Sequence, residues 1–418
     1  MDSKWEDIKL GEILELITDY HSNGSYETLK ENVELLDKKD FAIMIRTTNF
    51  EQNSFSENLK YISERSYSFL KKSIVYHGDI IMNKIANAGS VYFMPNLNYP
   101  VSLAMNLFLL RINKEKANQH FVFYYLKANE SYVKQFAEGS VTKTITKNAV
   151  RNLIVKMPSI EIQDKIVTII ESLESKIDNL RRQNETLEAI AQTLFKHWFI
   201  DFEFPDADGK PYKSSGGGMW RSAIGDIPEG WHIGKLGDIG ENIREGVKES
   251  DIRPDMSYIG LEHIPRKQIA LDTWEQAVDV ASNKFWFNKG NILFGKLRPY
   301  FHKVGVAFTS GVCSTDILVI DSKQETYFGF LLMLLSSEQF IYYVSLASEG
   351  TRMPRTSWEY MKDYSVVIPT SLVLKDFNEL LKILIKKMEI NIFQIQTLTK
   401  TRGALLPKLM SGQLRVKE

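Results

Sequence analysis

Apolar and polar positions change rhythm twice along the 418 residues. Before Pro158, and again before Pro369, short apolar runs sit between turn residues. Ser73-Ile74-Val75-Tyr76, Ile80-Ile81-Met82 and Asn106-Leu107-Phe108-Leu109-Leu110 are examples. Runs of that length predict strands, with helices over 121–136 and 327–346 mixed among them. After each proline the period becomes helical and long. Over 160–199 the apolar positions Ile166, Ile169, Leu173, Ile177, Leu180, Leu187, Ala191, Leu194 and Trp198 step by three and four. From 377 onward Leu381, Leu384, Met388, Ile395, Leu398 and Leu405 do the same. This is a heptad-like seam, and about forty residues at roughly 1.5 Å each make a rod of order 60 Å. Asn184 and Asn391 interrupt the two seams. Either the helices pair antiparallel and the asparagines meet to fix register, or the seam drifts and both face solvent.

The pattern is written twice. Trp5-Glu-Asp-Ile-Lys9-Leu10-Gly11-Glu12-Ile13 returns as Trp231-His-Ile-Gly-Lys235-Leu236-Gly237-Asp238-Ile239. Gly78-Asp-Ile-Ile-Met-Asn-Lys84 is echoed by Gly290-Asn-Ile-Leu-Phe-Gly-Lys296, Glu138-Gly139 by Glu349-Gly350, and Met157-Pro158 by Ile368-Pro369. An ordered series of matches over both halves marks an internal repeat. The predicted division is a first domain at 1–158, a central long helix at 159–202, a linker at 203–230, a second domain at 231–369, and a second long helix with tail at 370–418. Pro205, Gly209, Pro211 and Ser214-Ser-Gly-Gly-Gly218 give the linker its turn chemistry.

Composition narrows the class. An apolar fraction of 44% and a charged fraction of 25% are those of a folded globular chain. The single cysteine, Cys313, excludes an intrachain disulfide and fits a reducing cytosol. No apolar signal core follows Met1, and no run of about 18 apolar residues occurs, so neither secretion nor a membrane is expected.

Motifs of catalysis are missing or misleading. Gly290 to Lys296 matches seven positions of a phosphate-binding loop, but Leu297 stands where a Ser or Thr must hold magnesium. Pro205-Asp206 with Asp208-Gly-Lys210 imitates a nuclease set, yet carboxylates one residue apart in a turn cannot converge on one ion as a nuclease requires. The Asn/Asp-Pro-Pro-aromatic loop of a base methyltransferase, the His-x3-His pair and the Gly-x-Ser-x-Gly elbow do not occur.

Charge is balanced in sum, 52 basic against 52 acidic residues, but not in place. Residues 280–315 hold no acid and carry Lys284, Lys289, Lys296, Arg298 and Lys303 among aromatic residues that include Tyr300. Residues 139–160 are also free of acids, with Lys143, Thr144, Lys147, Arg151 and Lys156; the counterpart in the second half is Thr351-Arg352-Met-Pro-Arg355-Thr356. Basic residues among Thr, Ser, Asn and Gly suit phosphate oxygens. Arg46, Thr48 and Asn49 in one half, and Glu262 and His263 in the other, follow short predicted strands and can bond base edges, although such residues also serve as strand caps and turns. Lys84-Ile-Ala-Asn87-Ala-Gly89 stands in the first half where the second has Lys296-Leu-Arg298-Pro-Tyr300.

Several stretches resemble the specificity subunit of type I restriction–modification systems. They are Phe195-Lys-His-Trp198-Phe199-Ile-Asp201-Phe202, Gly209-Lys-Pro211-Tyr-Lys-Ser214, Ile227-Pro-Glu-Gly230-Trp231, Tyr258-Ile-Gly-Leu-Glu-His-Ile264, Lys296-Leu-Arg298-Pro299-Tyr300, and Leu405-Leu-Pro407-Lys-Leu-Met-Ser411-Gly412. The resemblance implies an α+β fold with two similar target-recognition domains. Each is followed by a long helix, and the two helices pair antiparallel with pseudo-two-fold symmetry. It implies a chain without catalysis or cofactor of its own that reads a bipartite, asymmetric site on double-stranded DNA in the cytoplasm. Two modification subunits would supply adenine methylation with S-adenosylmethionine, and two restriction subunits ATP- and magnesium-dependent translocation and cleavage. The competing readings are a helical assembly scaffold that does not read DNA and a self-sufficient enzyme.

Overall fold

A computed structural model describes residues 5–346 and 353–416. In the first domain the strands are β1 (Glu6–Lys9), β2 (Leu14–Asp19), β3 (Ala42–Ile45), β4 (Lys60–Ile62), β5 (Ile74–Val75), β6 (Ile80–Asn83), β7 (Val91–Phe93), β8 (Val101–Leu103), β9 (Leu107–Ile112) and β10 (Ile154–Met157). Two four-stranded sheets form, in the orders β2-β9-β6-β7 and β4-β3-β8-β5, and β1 pairs with β10. Only β3 and β8 run parallel; the other pairs are antiparallel.

The apolar runs follow from burial on both faces. Along β6, Ile80 and Met82 point into a core shared with helices, while Ile81 points into a core between the sheets. Along β9, Phe108 and Leu110 take the first side and Leu107 and Leu109 the second. A strand covered on both faces has no reason to alternate with polar residues.

A hairpin of β11 (Met219–Ser222) and β12 (Gly225–Pro228) precedes the second domain. That domain contains β13 (His232–Lys235), β14 (Gly240–Ile243), β15 (Gly246–Val247), β16 (Ser257–Ile259), β17 (Glu275–Gln276), β18 (Lys284–Phe287), β19 (Ile292–Gly295), β20 (Val304–Val306), β21 (Gly311–Cys313), β22 (Ile317–Ser322) and β23 (Ser365–Ile368). Its sheets run β14-β22-β19-β20 and β15-β18-β21-β16-β17, with β13 on β23. Strand for strand this is the first domain again with β15 added, down to the parallel pair β16–β21. The repeat in the sequence is therefore a repeat of topology.

The long helices are Ile160–Phe195, running into a π-helical turn Lys196–Ile200, and Ser371–Met410. The chain divides into two compact units, Met1–Ser175 with Leu398–Glu418, and Lys176–Thr397. Each unit thus joins one domain to part of both helices, a division that cuts across the boundaries expected from sequence. In the first unit Ile162, Ile166 and Ile170 share a core with Leu409 and Met410, and Arg402 approaches Glu174 at 3.4 Å. In the second, Asn184 meets Asn391 while Phe195 and Trp198 pack on Phe377, so the helices run antiparallel there.

Three expectations change. The helix expected at 121–136 is broken at Asn129 into Gln119–Ala128 and Glu130–Lys134, and that at 327–346 is broken after Leu335. At the breaks polar side chains bond the preceding turn, Asn129 Nδ2 donating to the Tyr125 carbonyl at 2.9 Å and Ser337 Oγ to the Leu334 carbonyl at 2.7 Å, which offers an alternative to the helix ladder. The linker is not merely extended turn. Phe204 stacks between Tyr212 and Trp231, with ring centroids 4.5 and 5.0 Å away, and is buried with Ile227 in the second domain's core. No single described helix is long and apolar enough to cross a membrane.

Candidate nucleic-acid interface

The described candidate residues fall on loops and short helical turns between the strands, and backbone hydrogen bonds stitch several of these segments together. In the first domain Lys84 N–H donates to the Asn106 carbonyl (2.9 Å), Ile145 N–H to the Lys84 carbonyl (3.0 Å), and Ala86 N–H to the Lys143 carbonyl (3.1 Å). In the second, Lys296 N–H donates to Asp316 (2.9 Å), Thr356 N–H to Lys296 (3.0 Å), and Arg298 N–H to Pro354 (2.8 Å). These are the same three bonds at repeat-related positions. Ala86 and Arg298, which correspond, both adopt left-handed backbone, with φ of 67° and 51°. The loops after β3 and β8 meet in the same way: Ala104 N–H reaches the Ile45 carbonyl, and Ser314 N–H the Ile259 carbonyl. Each domain therefore gathers its loops around the ends of two parallel strands.

Within this frame the candidates differ in what they are free to do. Asn49 is buried; its Oδ1 accepts the Arg46 N–H at 3.0 Å and its Nδ2 donates to the Ser54 carbonyl. His263, also buried, plays the same part, with Nδ1 accepting the Gly260 N–H at 2.9 Å. Both close a turn three residues back, so their polar atoms serve the loop. Lys84 and Lys147 both bind Asp19, at 3.0 and 2.7 Å. Arg46 donates to the Asn58 carbonyl at 2.7 Å, and its Nε is buried without a partner among the described residues. Arg355 lies 3.3 Å from Asp316. Thr144 pairs with Ile85 in an isolated bridge and is half-buried.

Thr48, Asn87, Lys143, Glu262, Tyr300 and Arg355 are exposed, and Lys296 and Arg298 partly so. Tyr300 stands on a turn, Pro299–Phe301, between two left-handed residues, Arg298 and His302. Arg266 covers the Phe301 ring at 4.0 Å and Arg298 approaches it at 5.8 Å, which fixes the turn beneath the exposed phenol. Thr351 and Arg352 lie outside the described residues.

The sequence reading missed Asp19. Burial alone would raise its pKa, but hydrogen bonds from Lys147, Ser22 and Lys84 outweigh that and hold the carboxyl down at about 2. It lies on β2, far in sequence from the acid-free stretches that drew attention. Cys313 sits in the second domain's inter-sheet core, where burial pushes its thiol up to about 12. Such a thiol is inert. Among the described residues no cluster of three or more His, Cys, Asp or Glu side chains is placed to hold a metal ion.

Two similar α+β domains, each followed by a long helix, define the class of protein: a domain-and-helix unit built twice. Comparison with known proteins shows what the chain is similar to. Residues 2–189 match the type I restriction modification DNA specificity domain. The chain is 28% identical to the type I restriction enzyme MjaIX specificity subunit of Methanocaldococcus jannaschii over 88% of this chain and 85% of that one. It is 23% identical to the HindI specificity subunit of Haemophilus influenzae over 99% of this chain and all of the other. A crystal structure of the type I restriction–modification S subunit from M. genitalium has the same fold, with a TM-score of 0.56, 14% identity, and coverage of 98% of this chain and 96% of that one. Residues 2–189 thus carry the type I restriction modification DNA specificity domain, and the chain as a whole is similar to the specificity subunits of type I restriction enzymes.

Proposed function

We propose that this chain is a type I specificity subunit that reads a bipartite, asymmetric target on double-stranded DNA, one half-site per domain, and docks the subunits that act on it. The observation that carries the reading is the twice-built loop cluster. A fold that spends the same three backbone bonds on both clusters, while changing the side chains they present, is organised to place different chemistry in equivalent positions. Lys84, Ala86 and Asn87 stand in one cluster where Lys296, Arg298 and Pro299 stand in the other, which suits two different half-sites. Exposed loop cations such as Lys143 and Arg355 supply phosphate contacts, and the exposed polar side chains supply base-edge donors and acceptors.

The docking part of the reading has its own support. Leu372, Leu380, Ile383 and Ile390 on the second long helix are exposed, Leu372 and Ile383 each at 67%. They lie outside the buried seam of Phe377, Leu381, Met388 and Ile392. An uncovered apolar stripe beside a closed one suits further helices from a partner. In this proposal those partners are two modification subunits, carrying S-adenosylmethionine, and two restriction subunits, carrying ATP and magnesium, on cytoplasmic DNA; this chain holds no cofactor.

Domain exchange tests it. With residues 231–369 replaced by the corresponding domain of a relative, methylome sequencing of cells carrying the whole system should show one half of the methylated motif changed and the other retained. An unchanged motif would leave only a helical assembly scaffold, and methyl transfer or ATP hydrolysis by the isolated chain would instead make it an enzyme.

A further inference from the structure

We propose that Asp19 is a positioning residue for the first half-site: it aims Lys84 and Lys147 so that their remaining N–H donors address base edges, and it withholds them from phosphates. The inference rests on the DNA-reading function above and assigns work within it.

The geometry is a closed triad. Lys84 Nζ donates to Asp19 Oδ2 at 3.0 Å, and Lys147 Nζ to Oδ1 at 2.7 Å. Lys147 also donates to Ser22 Oγ at 2.8 Å, and Ser22 in turn donates to Asp19 Oδ1 at 2.8 Å. Lys84 Nζ additionally lies 5.5 Å over the Phe108 ring. An ammonium has three donors, so Lys147 keeps one unspent and Lys84 two. The side chains are 30% and 26% exposed against 7% for Asp19, so the acid is the floor and the lysines form the rim. The lysines come from distant segments, the end of β6 and the start of the helix Lys147–Arg151; Asp19 is what brings them side by side.

A lysine is ordinarily a flexible point charge that favours phosphate over base. Held by a buried carboxylate, it loses that freedom and part of its net charge, and becomes a fixed donor suited to purine O6 and N7 acceptors. The second domain lacks the device. By strand register the position of Asp19 is held there by Arg244, since Thr18 faces Leu109 as Ile243 faces Val319. The position of Lys147 is held by Trp358, so at these two positions Lys296, the counterpart of Lys84, meets neither the acid nor the second lysine.

The test uses the full chain assembled with its modification subunits, binding oligonucleotides altered in one half-site at a time over a range of salt. Asp19→Asn keeps the shape and removes the charge. Expected are a steeper salt dependence, by about one to two in the slope of log K against log salt as two lysines turn to phosphates, lost discrimination at the first half-site, and unchanged discrimination at the second. A mere packing role would weaken binding at the first half-site with no steeper slope, and that result overturns the proposal. Lys147→Met and Lys84→Met guard against a misfolded Asp19 variant: each should relax first-half discrimination, and if neither does, the proposal is wrong. Absence of sequence-specific binding by the unaltered complex would instead overturn the DNA-reading function itself.

Discussion

At the scale of single residues, buried polar groups carry most of what is unusual here, and Glu188 is the sharpest case. It sits on the central helix, only 6% exposed, with Oε1 accepting the Ile269 N–H at 2.8 Å. Burial pushes its pKa up to about 7; the Ile269 N–H opposes and the charge of Glu185 assists. The folded state therefore holds a proton that the unfolded state, with its ordinary value of 4.5, gives up first. Between those two values the folded state binds more protons, so stability falls as pH rises from about 4.5 to about 7 and levels off above. Glu188→Gln keeps an oxygen for Ile269 and has no charge to desolvate. We expect it to stabilise the protein at pH 8 by roughly 1–3 kcal/mol, and denaturant melts at several pH values should show the slope in this window reduced. An unaltered slope would mean that Glu188 titrates normally.

Among secondary elements, the seam of the long helices can be argued most closely. Asn391 Nδ2 donates to Asn184 Oδ1 at 2.9 Å, with both residues buried, and Asn391 Oδ1 has no partner among the described residues. A polar pair in an apolar seam costs stability and selects register, because any slide of the helices strands both amides in hydrocarbon. Replacing either asparagine with Leu leaves the other unsatisfied, whereas replacing both does not. We therefore expect the double variant to be more stable than additivity of the singles allows, with a coupling of about 0.5–3 kcal/mol in a double-mutant cycle; strictly additive effects would show that the pair does not set register.

The elements also mark how far the sequence could be read. Period and repeat revealed both long helices and the paired domains, because a seam and a strand such as Ile80–Asn83 are local patterns imposed by burial. Asn184 with Asn391 was visible as an alternative, not as a contact, since a heptad does not name its partner. The triad of Asp19, Lys84 and Lys147 spans 128 residues, and no local pattern encodes it. Reading the halves against each other would have helped: Asn49 and His263 occupy one position and make one bond, the mark of a turn and not of a base contact.

For the whole molecule, the decisive fact is that the first compact unit is assembled from both ends of the chain, while the second is one continuous segment. The first unit takes in Leu398–Glu418. Leu409 and Met410, each 1% exposed, complete the core that contains Phe121, Ile166 and Ile170, and Leu405 and Leu406 pack against it. Arg402 approaches Glu174, which also accepts the Tyr124 hydroxyl at 2.6 Å. Deleting one buried Leu or Met side chain costs about 2–5 kcal/mol, so losing several consumes most of the roughly 5–15 kcal/mol that a domain has. A chain ended after Thr397 should therefore lose its first domain, although every residue of that domain remains. We expect limited proteolysis to cut first within residues 5–158 of the shortened chain, and half-site discrimination to vanish for the first domain while the second keeps its own. Adding residues 398–418 back as a peptide should restore protection in proportion to its concentration, by the mass action of a ligand that binds only the folded state. If the shortened chain resists protease as the full one does, the C-terminal turns are ornament to the first unit. If instead both domains are lost together, the units do not fold as separately as their cores suggest.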